Sequence, residues 1–153
     1  MGRRTRDNAD WREHAQGVLS LEGHRGGGAR AAVIDLLAGQ DCCLTAQEIF
    51  DELRGDGRTI GIASVYRALE LLSRHGLVRR LEIGASACYE PERPGGEHHH
   101  HVVCERCGRL EAFEDEELER AIRRLSGRLR FAVDEHDVTL RGTCPRCRQE
   151  GTS

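Results

Sequence analysis

Two Cys-x-x-Cys pairs are the strongest chemical signal in this 153-residue sequence. Cys104 and Cys107 form the first pair, Cys144 and Cys147 form the second, and 36 residues separate them. A turn of this kind can direct two thiolates at one tetrahedral zinc ion. The gap is long enough for a strand, a helix and a second strand that return the chain to its start. We therefore predict a structural zinc site; two separate redox pairs, or four buried thiols, are the alternatives.

Four consecutive histidines, His98–His101, stand just before the first cysteine pair. Successive side chains of a strand point to opposite faces. If this run is extended, His98 and His100 share one face, and His99 and His101 share the other. One metal ion does not easily use all four imidazoles, so the run predicts two sites placed back to back. A fortuitous solvent-exposed run is the alternative.

Other side chains of ligand type are scattered along the chain. Glu90 precedes the Pro/Gly-rich segment 91–97, Glu119 lies in a charged segment, and His136 comes eight residues before Cys144. Taken alone, each of these three is typical of a solvated surface residue. Three further thiols are equally consistent with small buried side chains: Cys42, Cys43 and Cys88.

The elements that must position these groups predict an α+β protein. Residues 29–39, 44–57 and 61–76 have helical patterns, and a short helix fits residues 11–23. Thr45 and Glu48 have the spacing of a capping box. Val65, Leu69 and Leu72 form one apolar helix face. Two alternating strands, "LVRRLEIG" and "SACYEP", follow the last of these helices. Three helices followed by a hairpin are the order of a winged helix-turn-helix domain.

The sequence divides into an N-terminal domain over residues 1–91, a hinge over 92–97 and a C-terminal domain over 98–153. The first 24 residues are polar and rich in Gly and Arg, so we expect them to be partly flexible. The C-terminal half predicts a histidine strand, a strand near "RLEAF", a charged helix and one long strand "FAVDEHDVTLRG". It is a small α/β domain of about 55 residues. A core of this size usually needs additional stabilisation, for example by a structural metal.

Composition limits the possible functions. The formal net charge is −3, so nucleic-acid binding would depend on a local basic patch of a dimer. Aromatic residues make up 4% of the chain, too few for a platform that stacks single-stranded bases. No apolar run approaches a membrane span, and no apolar core follows the basic start. We expect a soluble, cytoplasmic protein with no membrane partner.

Three motifs, "IGIASVYRALELL", "HHHHVVCERCG" and "GTCPRC", resemble the ferric uptake regulator (Fur) superfamily of metal-dependent repressors, which includes zinc sensors. The resemblance extends from about Gly23 to Cys147. It implies a winged-helix domain, a hinge and a dimerisation domain. It also implies a homodimer that binds an A/T-rich palindromic operator of double-stranded DNA when metal is bound.

The resemblance also implies roles for individual residues. Cys104, Cys107, Cys144 and Cys147 match the structural zinc site. A site within the dimerisation domain is matched by His98, His100, Glu119 and His136. The regulatory site is matched by Glu90, His99 and His101, with Cys43 where many members have a histidine. The residues expected at DNA are Ser64 and Tyr66 at base edges, Arg67 at a base or phosphate, and Arg25 in a minor groove. A surface Arg67 paired with Glu70 is the alternative.

The metal at the regulatory site follows from the donor set. A thiolate from Cys43 with two imidazoles and a carboxylate favours zinc. Iron(II) or manganese(II), including a peroxide sensor, is the alternative if Cys43 does not bind. The positions that distinguish the zinc and iron subtypes here hold Arg79, Ala112 and "EPER", which fit neither subtype. A zinc hydrolase is a rival class, but the sequence has no H-E-x-x-H pattern and no plausible nucleophile–base pair, so we predict no enzyme.

Overall fold

The structure is a computed structural model that describes residues 2–24, 26–93 and 99–151, with side chains from residue 9 onward. The chain divides into two compact units, Met1–Glu97 and His98–Ser153. Within the described ranges, no helix is both long enough and apolar enough to cross a membrane.

The described part of the first unit contains four helices and a small antiparallel sheet of order β1-β3-β2. Three helices followed by the β2–β3 hairpin confirm the predicted winged helix-turn-helix. The two-residue β1 was not predicted, because so short a strand has no alternation to detect. In chain order the elements are α1 Gly2–Leu21, α2 Gly28–Ala38, β1 Leu44–Thr45, α3 Ala46–Gly55, α4 Ile62–Arg74, β2 Val78–Ile83 and β3 Ser86–Pro91.

The start of α3 is fixed by the predicted capping box. The Glu48 amide donates to the Thr45 hydroxyl at 3.1 Å, and the Thr45 amide donates to the Glu48 carboxylate at 2.7 Å. Two backbone donors that the helix itself leaves without partners are satisfied in this way. A cap of this type contributes about 1 kcal/mol, and it places the residues just before Thr45 at a defined point of the fold.

The apolar face of α4 is the one that the sequence predicts. Val65, Leu69 and Leu72 are fully buried in the core of the first unit. The helix ends at Arg74, and Gly76, just after the C-cap His75, has a φ of +64°, a left-handed conformation that glycine adopts without strain. The opposite face of α4 is consequently held at the surface.

The first helix, α1, contributes Trp11, Ala15 and Leu19 to the same core. Trp11 is fully buried, and its indole N–H donates to the Leu77 carbonyl at 2.9 Å. This contact ties α1 to the chain between α4 and β2. Truncation of so large a buried side chain costs about 3–5 kcal/mol. The helix is longer than the segment 11–23 that the sequence indicates.

The second unit is a three-stranded sheet with two helices in its described part. Strand order is β5-β4-β6, with β4 antiparallel to β5 and parallel to β6. The parallel pair is possible because α5 connects the two edges. The elements are β4 His100–Cys104, β5 Leu110–Phe113, α5 Glu116–Leu129, β6 Thr139–Gly142 and α6 Pro145–Glu150. This arrangement confirms the small α/β domain.

The predicted long strand over 131–142 is wrong in its first two thirds. Only Thr139–Gly142 is strand, preceded by a contact in which the His101 amide donates to the Val138 carbonyl at 3.1 Å. Arg130 ends α5 in a left-handed conformation with φ of +56°. The polar run 134–137, Asp-Glu-His-Asp, lacks the alternation that a half-buried strand requires.

Candidate metal centres

The four paired thiols converge in the second unit. The sulfurs of Cys107 and Cys144 are 3.8 Å apart. At a Zn–S distance of about 2.3 Å, a tetrahedral zinc ion holds its sulfurs about 3.8 Å from one another. The type, number and spacing of the donors therefore fit a structural zinc ion. All four sulfurs lie within 4.8 Å of one another: Cys104, Cys107, Cys144 and Cys147.

Strand pairing brings the two Cys-x-x-Cys turns together. Cys104 ends β4 and pairs with Gly142 of the parallel strand β6, so the second turn begins beside the first. The first turn closes where the Gly108 amide donates to the Cys104 carbonyl at 2.8 Å, with a Gly108 φ of +74°. Cys144 then precedes α6, and its amide donates to the Cys104 sulfur at 3.3 Å. Both turns are thus fixed by backbone contacts.

The thiols of this cluster differ in acidity. Amide donors, first that of Cys144 and then that of Cys107, lower the pKa of Cys104 to about 6. Burial, followed by the neighbouring thiols, raises the pKa of Cys147 to about 12. The backbone therefore stabilises one thiolate, whereas several negative charges together require a cation.

A second cluster lies on one face of β4. The Oε1 atom of Glu119 is 2.7 Å from His100 Nε2 and 3.2 Å from His136 Nε2. His100 is buried, while the other two side chains are about three-quarters buried. Two imidazoles and a carboxylate directed at one point form a metal-binding set. His98, the fourth residue implied by the resemblance, lies outside the described residues, as does Arg25 of the expected DNA-contacting set.

His99 and His101 lie together, apart from His100. Their ring centroids are 5.3 Å apart and the rings meet edge-on. His100 packs instead against Phe113, with centroids 5.6 Å apart, and against His136 at 5.4 Å. The alternation predicted from the histidine run is therefore present, and each face of β4 carries its own imidazoles.

In the first unit, Cys43 directly precedes β1, and Glu90 lies on the neighbouring strand β3. Leu44 of β1 pairs with Tyr89 of β3, so the register continued by one residue sets Cys43 opposite Glu90. Both side chains are buried. The thiol and the carboxylate named for the regulatory site thus lie at the same end of this sheet.

The Cys43 thiol also has two sulfur neighbours that sequence reasoning did not connect with it. It hydrogen-bonds with the thiols of Cys42 and Cys88, and these contacts, followed by burial, raise its pKa far above the usual range. Cys88 is placed there because it pairs with Thr45 of β1. A two-residue strand gives no signal in the sequence, so this register was not predictable.

The outward face of α4 carries the side chains expected at DNA. Tyr66 and Arg67 are exposed and Ser64 is half-buried. The Arg67 guanidinium donates to the Ser64 hydroxyl at 3.0 Å. Glu70 instead lies 3.5 Å from Arg74, so the pairing of Arg67 with Glu70 is not the one adopted. This arrangement leaves the Tyr66 ring accessible and Arg67 supported from one side.

The sequence matches the model of the ferric uptake regulator family over residues 22–141. The chain belongs to this family. It is 36% identical over 105 residues to the ferric uptake regulation protein of Legionella pneumophila, covering 68% of this chain and 76% of that protein. It is 35% identical over 131 residues to the zinc uptake regulation protein of Mycobacterium tuberculosis, covering 85% and 99%. The ferric uptake regulator Fur of Helicobacter pylori is structurally similar, with a TM-score of 0.79 at 25% identity over 92% of this chain and 93% of that one.

Family membership establishes this Fur-family protein as a metal-responsive DNA-binding regulator and not an enzyme. The zinc hydrolase alternative is thereby removed. The Helicobacter relative is described as having three functional metal binding sites. Because similar proteins include both a ferric and a zinc uptake regulator, the sensed metal must be argued from the donors of this chain.

Proposed function

We propose that this protein is a zinc-responsive repressor that acts in the cytoplasm. It binds A/T-rich palindromic operators as a homodimer and controls metal uptake genes. The observation that carries the proposal is the division of the histidines at the start of β4. His100 meets Glu119 and His136 on one face, while His99 and His101 are paired on the other. A separate, regulatory metal would bind at the second pair.

The regulatory site would consist of His99, His101, Glu90 and Cys43. Support comes from each unit by itself: the two imidazoles are adjacent, and the β1–β3 register sets the thiol opposite the carboxylate. Bound zinc would supply a tetrahedral geometry, for which one sulfur, two nitrogens and one oxygen are suitable donors. The other set, His98, His100, Glu119 and His136, would then stabilise the second unit, and the four paired cysteines would hold structural zinc.

A second copy of this chain is the partner that the surface of the second unit favours. No side chain of α5, which the structure describes along its whole length, is fully buried. Large apolar residues on and after it are exposed, and exposed apolar patches mark interaction sites. They are Leu125, Leu129, Phe131, Val133 and Leu140. Burial of this set between two copies would produce a symmetric dimer.

The dimer would present two copies of α4 to successive major-groove half-sites. Tyr66 and Ser64 would contact base edges or thymine methyl groups, and Arg67 a base or a phosphate. Arg25 would enter an A/T-rich minor groove. The metal ligands would favour one arrangement of the hinge 92–97, so metal and operator would each increase the affinity for the other.

A specific observation favours iron(II) or manganese(II) as a second candidate. Hydrogen bonds from Cys42 and Cys88 raise the pKa of Cys43, which favours a protonated thiol. Without Cys43, the set of Glu90, His99 and His101 would suit a harder ion of higher coordination number. In that case a peroxide-sensing repressor becomes the better assignment.

Metal titration of operator binding distinguishes these candidates. The probe would be a DNA palindrome selected from random sequence with this protein and zinc, measured by gel shift in metal-buffered solution. The parent should respond to zinc at free concentrations where iron(II) and manganese(II) have no effect. Cys43→Ala should require at least tenfold more zinc, and Cys43→His should retain a metal response. An unchanged zinc response in Cys43→Ala would contradict the role of this thiol.

A further inference from the structure

Arg79, the second residue of β2, faces two carboxylates of the same hairpin. The β2–β3 register sets Arg79 directly opposite Glu90, and side chains at such positions of an antiparallel pair lie next to each other on one face. The Arg79 Nε atom donates to a carboxylate oxygen of Glu92 at 3.2 Å. One guanidinium is therefore placed beside both acidic side chains.

The face that carries these charges is not the one that packs on the helices. Val78 and Tyr89, the neighbours of Arg79 and Glu90 along each strand, belong to the hydrophobic core. Because successive side chains of a strand alternate, Arg79 and Glu90 point to the opposite face. The packing of α2, α3 and α4 consequently does not explain why the two charges stand at these positions.

Both charges are largely shielded from water. Glu90 is 4% exposed and the Arg79 side chain 12%, whereas Glu92 retains 44%. The next pair on the same face, Leu81 and Cys88, is also buried. Charges interact more strongly in such surroundings than at the surface, and a buried carboxylate without a counter-charge is costly. Arg79 is thus positioned to compensate the charge of Glu90.

We propose that Arg79 is the counter-ion of Glu90 in the metal-free protein and that it sets the metal concentration at which the regulatory site fills. A metal ion bound by Glu90 would lie close to the guanidinium, and the two positive charges would repel each other. Glu92 would keep Arg79 paired once Glu90 binds the metal. The effect on metal rests on the proposed function, which takes Glu90 as a regulatory ligand; the ion pair itself does not.

Competition against a chromogenic zinc chelator measures the regulatory site directly, with full-length protein whose structural zinc is loaded. The regulatory equivalent is the one that Glu90→Gln loses. Arg79→Gln should bind this zinc about tenfold more tightly than the parent, or tighter still, because the repulsion is removed. Arg79→Lys, which keeps the charge, should restore an affinity within about threefold of the parent.

Glu92→Gln should shift the affinity in the opposite direction. It should bind the regulatory zinc about threefold more weakly or worse, because Arg79 then loses one of the two carboxylates that it faces. A merely structural role would weaken zinc binding in Arg79→Gln and Glu92→Gln alike. Glu92→Gln also keeps the test decisive if Arg79→Gln does not fold. A repeat with manganese(II) makes the comparison independent of which metal the protein senses.

The matched control is Arg80→Gln. Arg80 is the next residue of β2, but its side chain is 53% exposed and pairs with Glu82, so the loss of its charge should be screened by solvent. Equal tightening in Arg80→Gln would show a general electrostatic effect and contradict a specific role of Arg79. Unchanged or weaker zinc binding in Arg79→Gln would overturn the proposal.

Urea unfolding of protein that holds only the structural zinc tests the ion pair by itself. Arg79→Gln and Glu90→Gln should each lower the unfolding midpoint, and the double variant should lower it by less than the sum of the two shifts. Additive shifts would exclude the ion pair. If Glu90→Gln keeps the full metal content, the proposed regulatory site fails and the competition with it, whereas the urea result is unaffected.

Discussion

His100 Nε2 lies 2.7 Å from Glu119 Oε1, and the same carboxylate oxygen is 3.2 Å from His136 Nε2. This contact joins β4 to α5 and to the segment that precedes β6. Three elements of the second unit thus meet at one acceptor. The arrangement would hold them together through hydrogen bonds or through a shared metal ion.

We predict that Glu119→Gln removes one metal equivalent per chain and weakens the second unit. An amide is a much poorer metal ligand than a carboxylate, although it has the same shape. Zinc-loaded parent and variant would be compared by metal quantification and thermal unfolding. Glu117→Gln, two residues away on the same helix, is the matched control and should resemble the parent. Equal metal content in Glu119→Gln would show that the cluster is held by hydrogen bonds alone.

Cys104→Ala should unfold the second unit or make the protein monomeric. Zinc bound by the four thiols would contribute directly to the stability of so small a domain. Size exclusion combined with zinc quantification would detect both effects. Cys42→Ala, which removes a partly buried thiol outside the cluster, should keep the structural zinc. A stable Cys104→Ala dimer with full zinc content is incompatible with this assignment.

Charge placed on the exposed apolar surface of the second unit should separate the proposed dimer. Leu129 is 59% exposed and Phe131 is 71% exposed, so Leu129→Asp or Phe131→Asp costs little in a monomer. At a dimer interface, the same change would bury an unpaired carboxylate. Analytical ultracentrifugation should show at least a tenfold weaker self-association. The control is Leu21→Asp, at an 89% exposed position of the first unit; equal dissociation in it would point to a general loss of stability.

Local patterns in the sequence were sufficient for much of this fold. The capping box of Thr45 and Glu48 and the buried face of Val65 and Leu69 depend on residues three or four positions apart, and the structure has both. The Cys-x-x-Cys turns and the alternation of the histidines are local in the same sense. The sequence therefore predicted the positions of these turns and histidines. Their metal-binding roles stay predictions.

Features that depend on pairing between distant segments were not predictable. The position of Cys88 opposite Thr45 requires the β1–β3 register, and β1 is only two residues long. The sequence pattern predicts that His136 lies in a long strand. Its ring reaches Glu119 from a non-strand segment, which only the packing of α5 against β4 determines.

Substitutions on the outward face of α4 should weaken operator binding without changing metal content or dimerisation. Tyr66→Ala removes an accessible ring, and Arg67→Ala removes a guanidinium that the Ser64 hydroxyl positions. A good base contact contributes about 1–3 kcal/mol, so each variant should bind roughly ten- to one-hundredfold more weakly. Loss of Arg67 should also flatten the salt dependence if this residue contacts a phosphate.

The matched control for these variants is Arg74→Ala. Arg74 lies at the end of the same helix, where it pairs with Glu70 across 3.5 Å. The Arg74→Ala substitution removes the same charge from the same helix. If a general loss of positive potential were responsible, Arg74→Ala would weaken operator binding as much as Arg67→Ala does. We expect Arg74→Ala to bind like the parent. Parent-like binding by both Tyr66→Ala and Arg67→Ala would mean that another surface of the protein contacts the bases.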